Sequence, residues 1–163
     1  YAATPFEKLT TDVTEFKVAD RKAYLSPILD MFNGEIISYT ISDRPDLKMV
    51  IDMMHSAKHK VRNTEGIILH SDQGWHYQHK LYQQTLKDYG ITQSMSRKGN
   101  CLDNAVMENF FGIMKSELLY LQKFSDMDDF KKQLKKYIHY YNNERIKLRL
   151  NGKSPVKYRT LCM

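Results

Sequence analysis

Cysteine is scarce: Cys101 and Cys162 are the only two in 163 residues, and they form no Cys-x-x-Cys pair. That excludes a disulfide scaffold, argues against a thiolate zinc site, and fits a reducing compartment, the cytoplasm. No apolar stretch approaches the roughly 20 residues that a membrane span needs, and no signal-peptide pattern opens the chain. Internal repeats and low-complexity linkers are also absent. At this length one domain buries a real core, so fold stability requires neither a metal nor a disulfide. The first residue is Tyr1 rather than Met, as expected of a piece of a longer protein.

The end of the chain lacks acid. Its last 19 residues, "RIKLRLNGKSPVKYRTLCM", hold six basic groups and no Asp or Glu. The net charge of +6 is therefore uneven: residues 1–96 carry 11 Lys+Arg against 12 Asp+Glu, and residues 97–163 carry 14 against 7. A basic half of this kind suits a polyanion, although an ordinary solvated surface has the same composition.

What is present alternates. "KLTTDVTEFKV" (8–18) has strand composition, and residues 22–43 read as a hairpin turning at Asn33-Gly34, with Pro27 marking a bulge or break. Pro45 opens a helix over 45–61 with Leu47, Val50, Ile51 and Met54 on one face. "GIILHSD" is a strand, 77–90 a helix closed by Gly90, and "ITQSMS" another strand. A loop, "RKGNCLDN", leads into a helix over 103–121 with Val106, Phe110, Ile113, Met114 and Leu121 inward. Ser125 and Asp128 resemble a capping box for a last helix over 126–146. The order β-β-β-α-β-α-β-α-α predicts one mixed sheet with helices on its faces.

Three acids stand where such a sheet gathers function, at strand ends and helix starts: Asp12, Asp72 and Glu108. Singly, each has a plain structural use, as a sheet-surface acid, a turn residue and a first-turn helix acid. If the first and fourth strands are neighbours, however, Asp12 and Asp72 face each other, and two such carboxylates repel unless a cation joins them. Oxygen donors of this kind suit Mg²⁺ or Mn²⁺. His70, His76 and His79 leave a zinc site as the alternative, but their spacing matches no common zinc pattern. Gly74 is expected to let the backbone turn sharply past the metal, and Trp75 to anchor the loop or to stack on a base.

Asp72 and Glu108 enclose 35 residues. With "TTDVTEF", "HSDQGWHY", "SRKGNCLDNAVMENFFGIMKSE" and the closing "YYNNERIKLRLNGKSPVKY", the chain resembles the catalytic core of bacterial insertion-sequence transposases of the retroviral-integrase type, over almost its whole length. The resemblance implies a ribonuclease H-like fold with a five-stranded mixed sheet, three strands antiparallel and two parallel. It implies a single core domain over 1–163, with the family's N-terminal DNA-binding region outside this chain. Asp12, Asp72 and Glu108 would be the catalytic metal ligands for Mg²⁺, with Mn²⁺ as a substitute. The reaction would be cleavage of DNA ends and transfer of the freed 3′-hydroxyl strand into target DNA.

DNA, both element ends and target, is the implied partner, with homo-oligomers assembling on it and no membrane. The protein would be cytoplasmic, and nucleoid-associated when on DNA. Lys115, Asn104, Arg97, Lys98 and Arg145 are the candidate DNA contacts, although Asn104 also suits a helix start and Arg145 and Asn142 also suit pinning the last helix. Glu117 has no place in the motif, and its replacement by Gln should be silent. Lys147 departs from the family, which often has His there, and its role stays open. A DNA-binding or assembly module without catalysis, and a nuclease without strand joining, remain the other readings.

Overall fold

The structure, a computed structural model, describes residues 2–97, 104–119 and 122–163. Six strands form one sheet: β1 Lys8–Thr11, β2 Thr14–Val18, β3 Arg21–Asp30, β4 Ile36–Ser42, β5 Ile68–Ser71 and β6 Thr92–Met95. β3 pairs antiparallel with β1, β2 and β4, while β1–β5 and β5–β6 are parallel. The helices are α1 Leu47–Val61, α2 Trp75–Gln78, α3 Lys80–Asp88, α4 Ala105–Leu118, α5 Met127–Asn143 and α6 Pro155–Cys162. The α1 crossover makes β5 parallel to β1, as the alternation of elements predicts.

The strand expected over 8–18 is interrupted. Thr11 pairs with Ile28 and Thr14 with Leu25, so one register runs through both halves, and Asp12 and Val13, which drop out, stand opposite Pro27 and Ser26. Pro27 has no N–H to give a ladder partner, and its carbonyl accepts instead from Thr11 Oγ1 at 2.8 Å. Pro27 itself pairs with Tyr39, and the expected irregularity falls one residue later, between Ile28 and Leu29. Counting β1 and β2 as one broken strand, the sheet is the predicted one of five, three antiparallel and two parallel.

Two cores cover the two faces. Phe16, Leu25 and Leu29 pack with α4 and α5; Leu9, Ile28 and Leu69 pack with α1, Tyr77 and Tyr82. On α1 the fully buried residues include Met49, Val50, Met53 and Met54, while Ile51 and Leu47 are only half-buried. The α4 stripe also differs from expectation: Met107, Phe110, Phe111, Met114 and Leu118 are inward, Val106 is exposed, and Leu121 lies outside the described residues. At α5 the cap is Asp126, whose side chain accepts from Asp129 N–H at 2.7 Å, so the capping pair sits one residue beyond Ser125–Asp128.

Two buried polar clamps hold the C-terminal half to the sheet. Glu35, fully buried, accepts from Arg159 Nε at 2.7 Å and from Lys60 Nζ at 3.3 Å, which ties α6 to the β3–β4 turn and to α1. Asn142 accepts from Ile36 N–H at 2.8 Å and donates to Ile36 O at 2.9 Å, completing the outer edge of β4 as a neighbouring strand would. Replacing Asn142 by Leu leaves both buried backbone groups without partners and should cost about 2–4 kcal/mol, whereas Asn143→Ala, one residue on and exposed, should stay within about 0.5 kcal/mol. Urea unfolding of the two variants measures the difference; equal midpoints would show that Asn142 does not complete the edge.

Candidate active site

The gap between β1 and β2 takes Asp12 out of the ladder. Its Oδ1 accepts from Val13 N–H at 2.8 Å and its Oδ2 from Asn104 Nδ2 at 3.0 Å, while Asn104 Oδ1 accepts from Thr10 Oγ1 at 3.3 Å. Burial raises the Asp12 carboxyl to about 6; the Val13 hydrogen bond opposes this, and the negative charges of Asp72 and Glu108 push it further up.

Asp72 arrives from the neighbouring strand. Thr10 of β1 pairs with His70 of β5, so two residues later Asp12 and Asp72 leave adjacent parallel strands at the same level. Gly74 N–H donates to Asp72 Oδ1 at 2.7 Å and orients it. A Cβ on Gly74 would stand 3.0 Å from that oxygen and 3.4 Å from the Tyr77 ring, and Gly74 has φ −55, a conformation open to any residue. The glycine thus makes close room for the Asp72 carboxylate and the Tyr77 ring, and is not called for by the sharp turn expected from sequence. Tyr77 lies buried beneath, its phenol pushed well up by burial and, secondarily, by the charge of Asp12.

The third acid comes from α4. Glu108 is exposed in the first turn of that helix, one turn beyond Asn104. Asn104 stands at the N-cap position yet makes no capping hydrogen bond, because its buried side chain bridges Asp12 and Thr10. Sequence reasoning offered Asn104 as a DNA contact or a helix-start residue; the structure places its side chain on Asp12.

Lys115 folds back so that Nζ lies 5.4 Å over the Phe16 ring, and Arg97 is exposed just past β6. Lys98 lies outside the described residues. Arg145 is bound to Glu117 through Nε (2.9 Å) and Nη2 (2.8 Å), and Glu117 also accepts from Tyr137 Oη at 2.7 Å. Glu117 therefore joins α4 to α5, a structural role that the sequence did not suggest, since an acid 28 residues from its Arg partner leaves no local pattern.

The histidines go separate ways. His70 Nδ1 meets Ser94 Oγ at 2.8 Å, His76 Nε2 meets Pro45 O at 2.6 Å, and His79 caps α3 by accepting from Leu81 N–H. Nothing here gathers them for zinc. Among the described residues no three His, Cys, Asp or Glu side chains stand within ligand distance of one point, the acidic trio included. The trio nonetheless suits a hard cation by chemistry: three carboxylates, with Asp12 raised by burial and further by the charges of Asp72 and Glu108, are a donor set a divalent ion would relieve. Trp75 is 57% exposed and stacks on His76 at 3.8 Å, so it is not a buried anchor.

Residues 2–101 and 108–162 each match a family model described as integrase core domain. The chain belongs to the integrase core domain family. It is 54% identical over 158 residues to the protein named as transposase InsK of insertion sequence element IS150 in Escherichia coli, covering 97% of this chain and 56% of that one. It is 52% identical over 159 residues to an uncharacterized transposase-like protein of Haemophilus influenzae, covering 98% and 73%. The chain thus spans little more than half the length of the first of these relatives.

The HTLV-2 integrase catalytic core domain in complex with magnesium, in its trimeric form, superposes with a TM-score of 0.76 at 18% identity, over 98% of this chain and 99% of that one. A chain of a simian T-cell lymphotropic virus intasome reaches 0.81 at 19% identity, over 97% and 55%. These likenesses establish the fold of this integrase core as ribonuclease H-like. Among the described residues no helix is long and apolar enough to cross a membrane.

The acid cluster of this integrase core has a stability signature. Asp12 binds its proton more tightly when folded, from an ordinary 3.8 to about 6, so its stabilising contribution is complete below 3.8 and is lost as pH rises through 6. In EDTA, wild type should therefore lose about 2–3 kcal/mol relative to Asp12→Asn between pH 4 and pH 7.5. Asp30, also raised to about 6, titrates in both proteins and cancels in the difference. Parallel stability curves from denaturant titrations across that range would show that Asp12 is not electrostatically frustrated.

Proposed function

We propose that this integrase core is the catalytic part of a bacterial insertion-sequence DNA transposase. The observation that supports the reading is that Asp12 and Asp72 leave adjacent parallel strands at the same level, while Asn104, hydrogen-bonded to Asp12, brings the first turn of α4 with Glu108 to the same end of the sheet. These three would hold Mg²⁺, or Mn²⁺ in its place. When bound, such an ion supplies the positive charge that stabilises the attacking and leaving oxygens of a phosphodiester displacement.

The chain's own residues set the stage. Val13 N–H and Asn104 Nδ2 fix the two oxygens of Asp12, and Gly74 N–H fixes Oδ1 of Asp72. Glu108 comes on an exposed first turn of α4, within reach of solvent. DNA ends and target DNA are the substrates in this reading, water and then a 3′-hydroxyl the nucleophiles, and copies of the protein assemble on the DNA in the cytoplasm. The relatives named as transposases support the DNA chemistry, and the dimeric and trimeric integrase cores among the fold neighbours support assembly.

Glu108→Gln tests the reading in the full-length protein. It keeps size and helix propensity, so folding and DNA affinity should persist, while strand cleavage and joining in Mg²⁺ fall about 100-fold or more. Glu117→Gln should do the reverse: it weakens the bonds to Arg145 and Tyr137 and lowers stability by about 1 kcal/mol, with turnover kept. Wild-type turnover in Glu108→Gln would remove the three-carboxylate mechanism and leave a DNA-binding module. Cleavage without joining to a 3′-hydroxyl acceptor would make the protein a nuclease instead.

A further inference from the structure

Beyond the acids, a second cluster leaves charge uncompensated. After α5 the chain closes a small loop: Lys147 N–H donates to Lys153 O, Gly152 N–H donates to Lys147 O, and a 3-10 turn spans Leu148–Leu150. Asn151 and Gly152 both take positive φ, 57 and 73, and buried Leu150 fastens the loop to the protein. The loop delivers Lys147 and Arg149 to Gly34 in the β3–β4 turn. A Cβ there would stand 3.0 Å from Lys147 Nζ and 3.7 Å from Arg149 Nη2, so both cations lie against this position, whose φ of 81 favours glycine. Lys147 Nζ also donates to Tyr141 Oη and lies 4.5 Å over that ring. Between this loop and Val106 and Asn109 of α4 lies a cavity of about 350 Å³.

The charges in this cavity do not cancel. Arg145 is bound to Glu117, but among the described residues neither Lys147 nor Arg149 joins an ion pair. Burial, then Arg149, then Arg145 bring the Lys147 ammonium down to about 8, as expected where cations crowd without an anion. The rim is apolar, with Ile146 65% and Leu148 95% exposed. A nucleotide has this same split character, a phosphate anion beside an apolar sugar and base face.

We propose that this cavity holds a phosphodiester of a DNA strand, with Lys147 and Arg149 on the phosphate and Ile146 and Leu148 against the adjoining sugar or base. The proposal rests on the reading of the chain as a DNA-acting core. The site is separate from the acids yet shares α4 with them: Asn109 follows Glu108 in sequence and points about 100° round the helix. A strand gripped here is therefore placed by the helix that carries the third acid.

The full-length protein, titrated with fluorescent element-end and unrelated duplexes over a range of salt, tests this. Arg149→Gln and Lys147→Met should each weaken binding to both duplexes alike and make the slope of log affinity against log salt shallower by about one. Arg149 is exposed, so its variant folds; Lys147→Met is checked by thermal melting and should melt no lower than wild type. If Lys147→Met does not fold, Arg149→Gln decides alone. As a second readout, acetylation of Lys147 followed by mass spectrometry should be suppressed by duplex DNA and not by inorganic phosphate at equal ionic strength.

Unchanged affinity and slope in Arg149→Gln, or no protection of Lys147 by DNA, overturns the proposal. Equal protection by inorganic phosphate reassigns the cavity to the free anion and also overturns it. A wild-type protein that binds no DNA would instead bring down the functional reading on which the proposal rests.

Discussion

A backbone position lost from the middle of a sheet leaves polar groups that must find partners elsewhere, and here the loss falls on Asp12 and Val13. Pro27 makes the loss possible, because the facing position has no N–H to waste. Val13 N–H turns to the Asp12 carboxylate, Thr11 Oγ1 takes the Pro27 carbonyl, and Asp12 is freed from the ladder at the level where Asp72 leaves β5. The meeting of the two aspartates thus follows from a proline one strand away. Without the gap, the Asp12 backbone would be tied into β3 and its carboxylate would follow the regular pleat.

The molecule treats its buried acids in two ways. Glu35 is fully buried and fully compensated, with Arg159 and Lys60 at hydrogen-bond distance and Asn33 Nδ2 at 3.3 Å. Asp30, close by, is raised by burial and by Glu35 but has Arg159 acting against the shift. Around Asp12 every neighbouring charge that shifts it is negative. A chain with an excess of six cations had no shortage of lysine or arginine to place there. Leaving that one cluster uncompensated is costly to the fold alone, and it fits a site whose positive charge comes from outside.

The order of elements was legible because it is written locally, in hydrophobic period and turn residues, and the three acids stood out as candidates through motif spacing. What could not be read depends on distant residues. The Asn104 side chain meets Asp12 across 92 positions, and Glu35 meets Arg159 across 124, so neither pairing leaves a trace in any short window. The break at Asp12 was hidden for the same reason: "KLTTDVTEFKV" has strand composition throughout, and only Pro27 on the partner strand interrupts it. The α4 stripe was misjudged by one residue because Val106 and Met107 are both apolar, and the packing against Phe16 and Tyr141 decides which of them turns inward. Gly74 was expected to give backbone freedom, whereas its place in the structure is close against a carboxylate oxygen.

Helix α4 emerges as the element on which the site's parts converge. Its cap residue holds Asp12, its first turn carries Glu108, its last turn reaches Arg145 through Glu117, and Val106 and Asn109 wall the basic cavity. All of these are set by one packing face, Met107, Phe110, Phe111, Met114 and Leu118 against the sheet and α5. A rotation of this helix about its axis would move the acid, the asparagine and the cavity wall together, since a rigid helix leaves no freedom to shift one alone. The acidic and basic halves of the chain, separate in sequence, are therefore coupled through the orientation of one apolar stripe. A strand presents two faces, whereas successive turns of a helix can reach Asp12, the sheet and the loop after α5 at once.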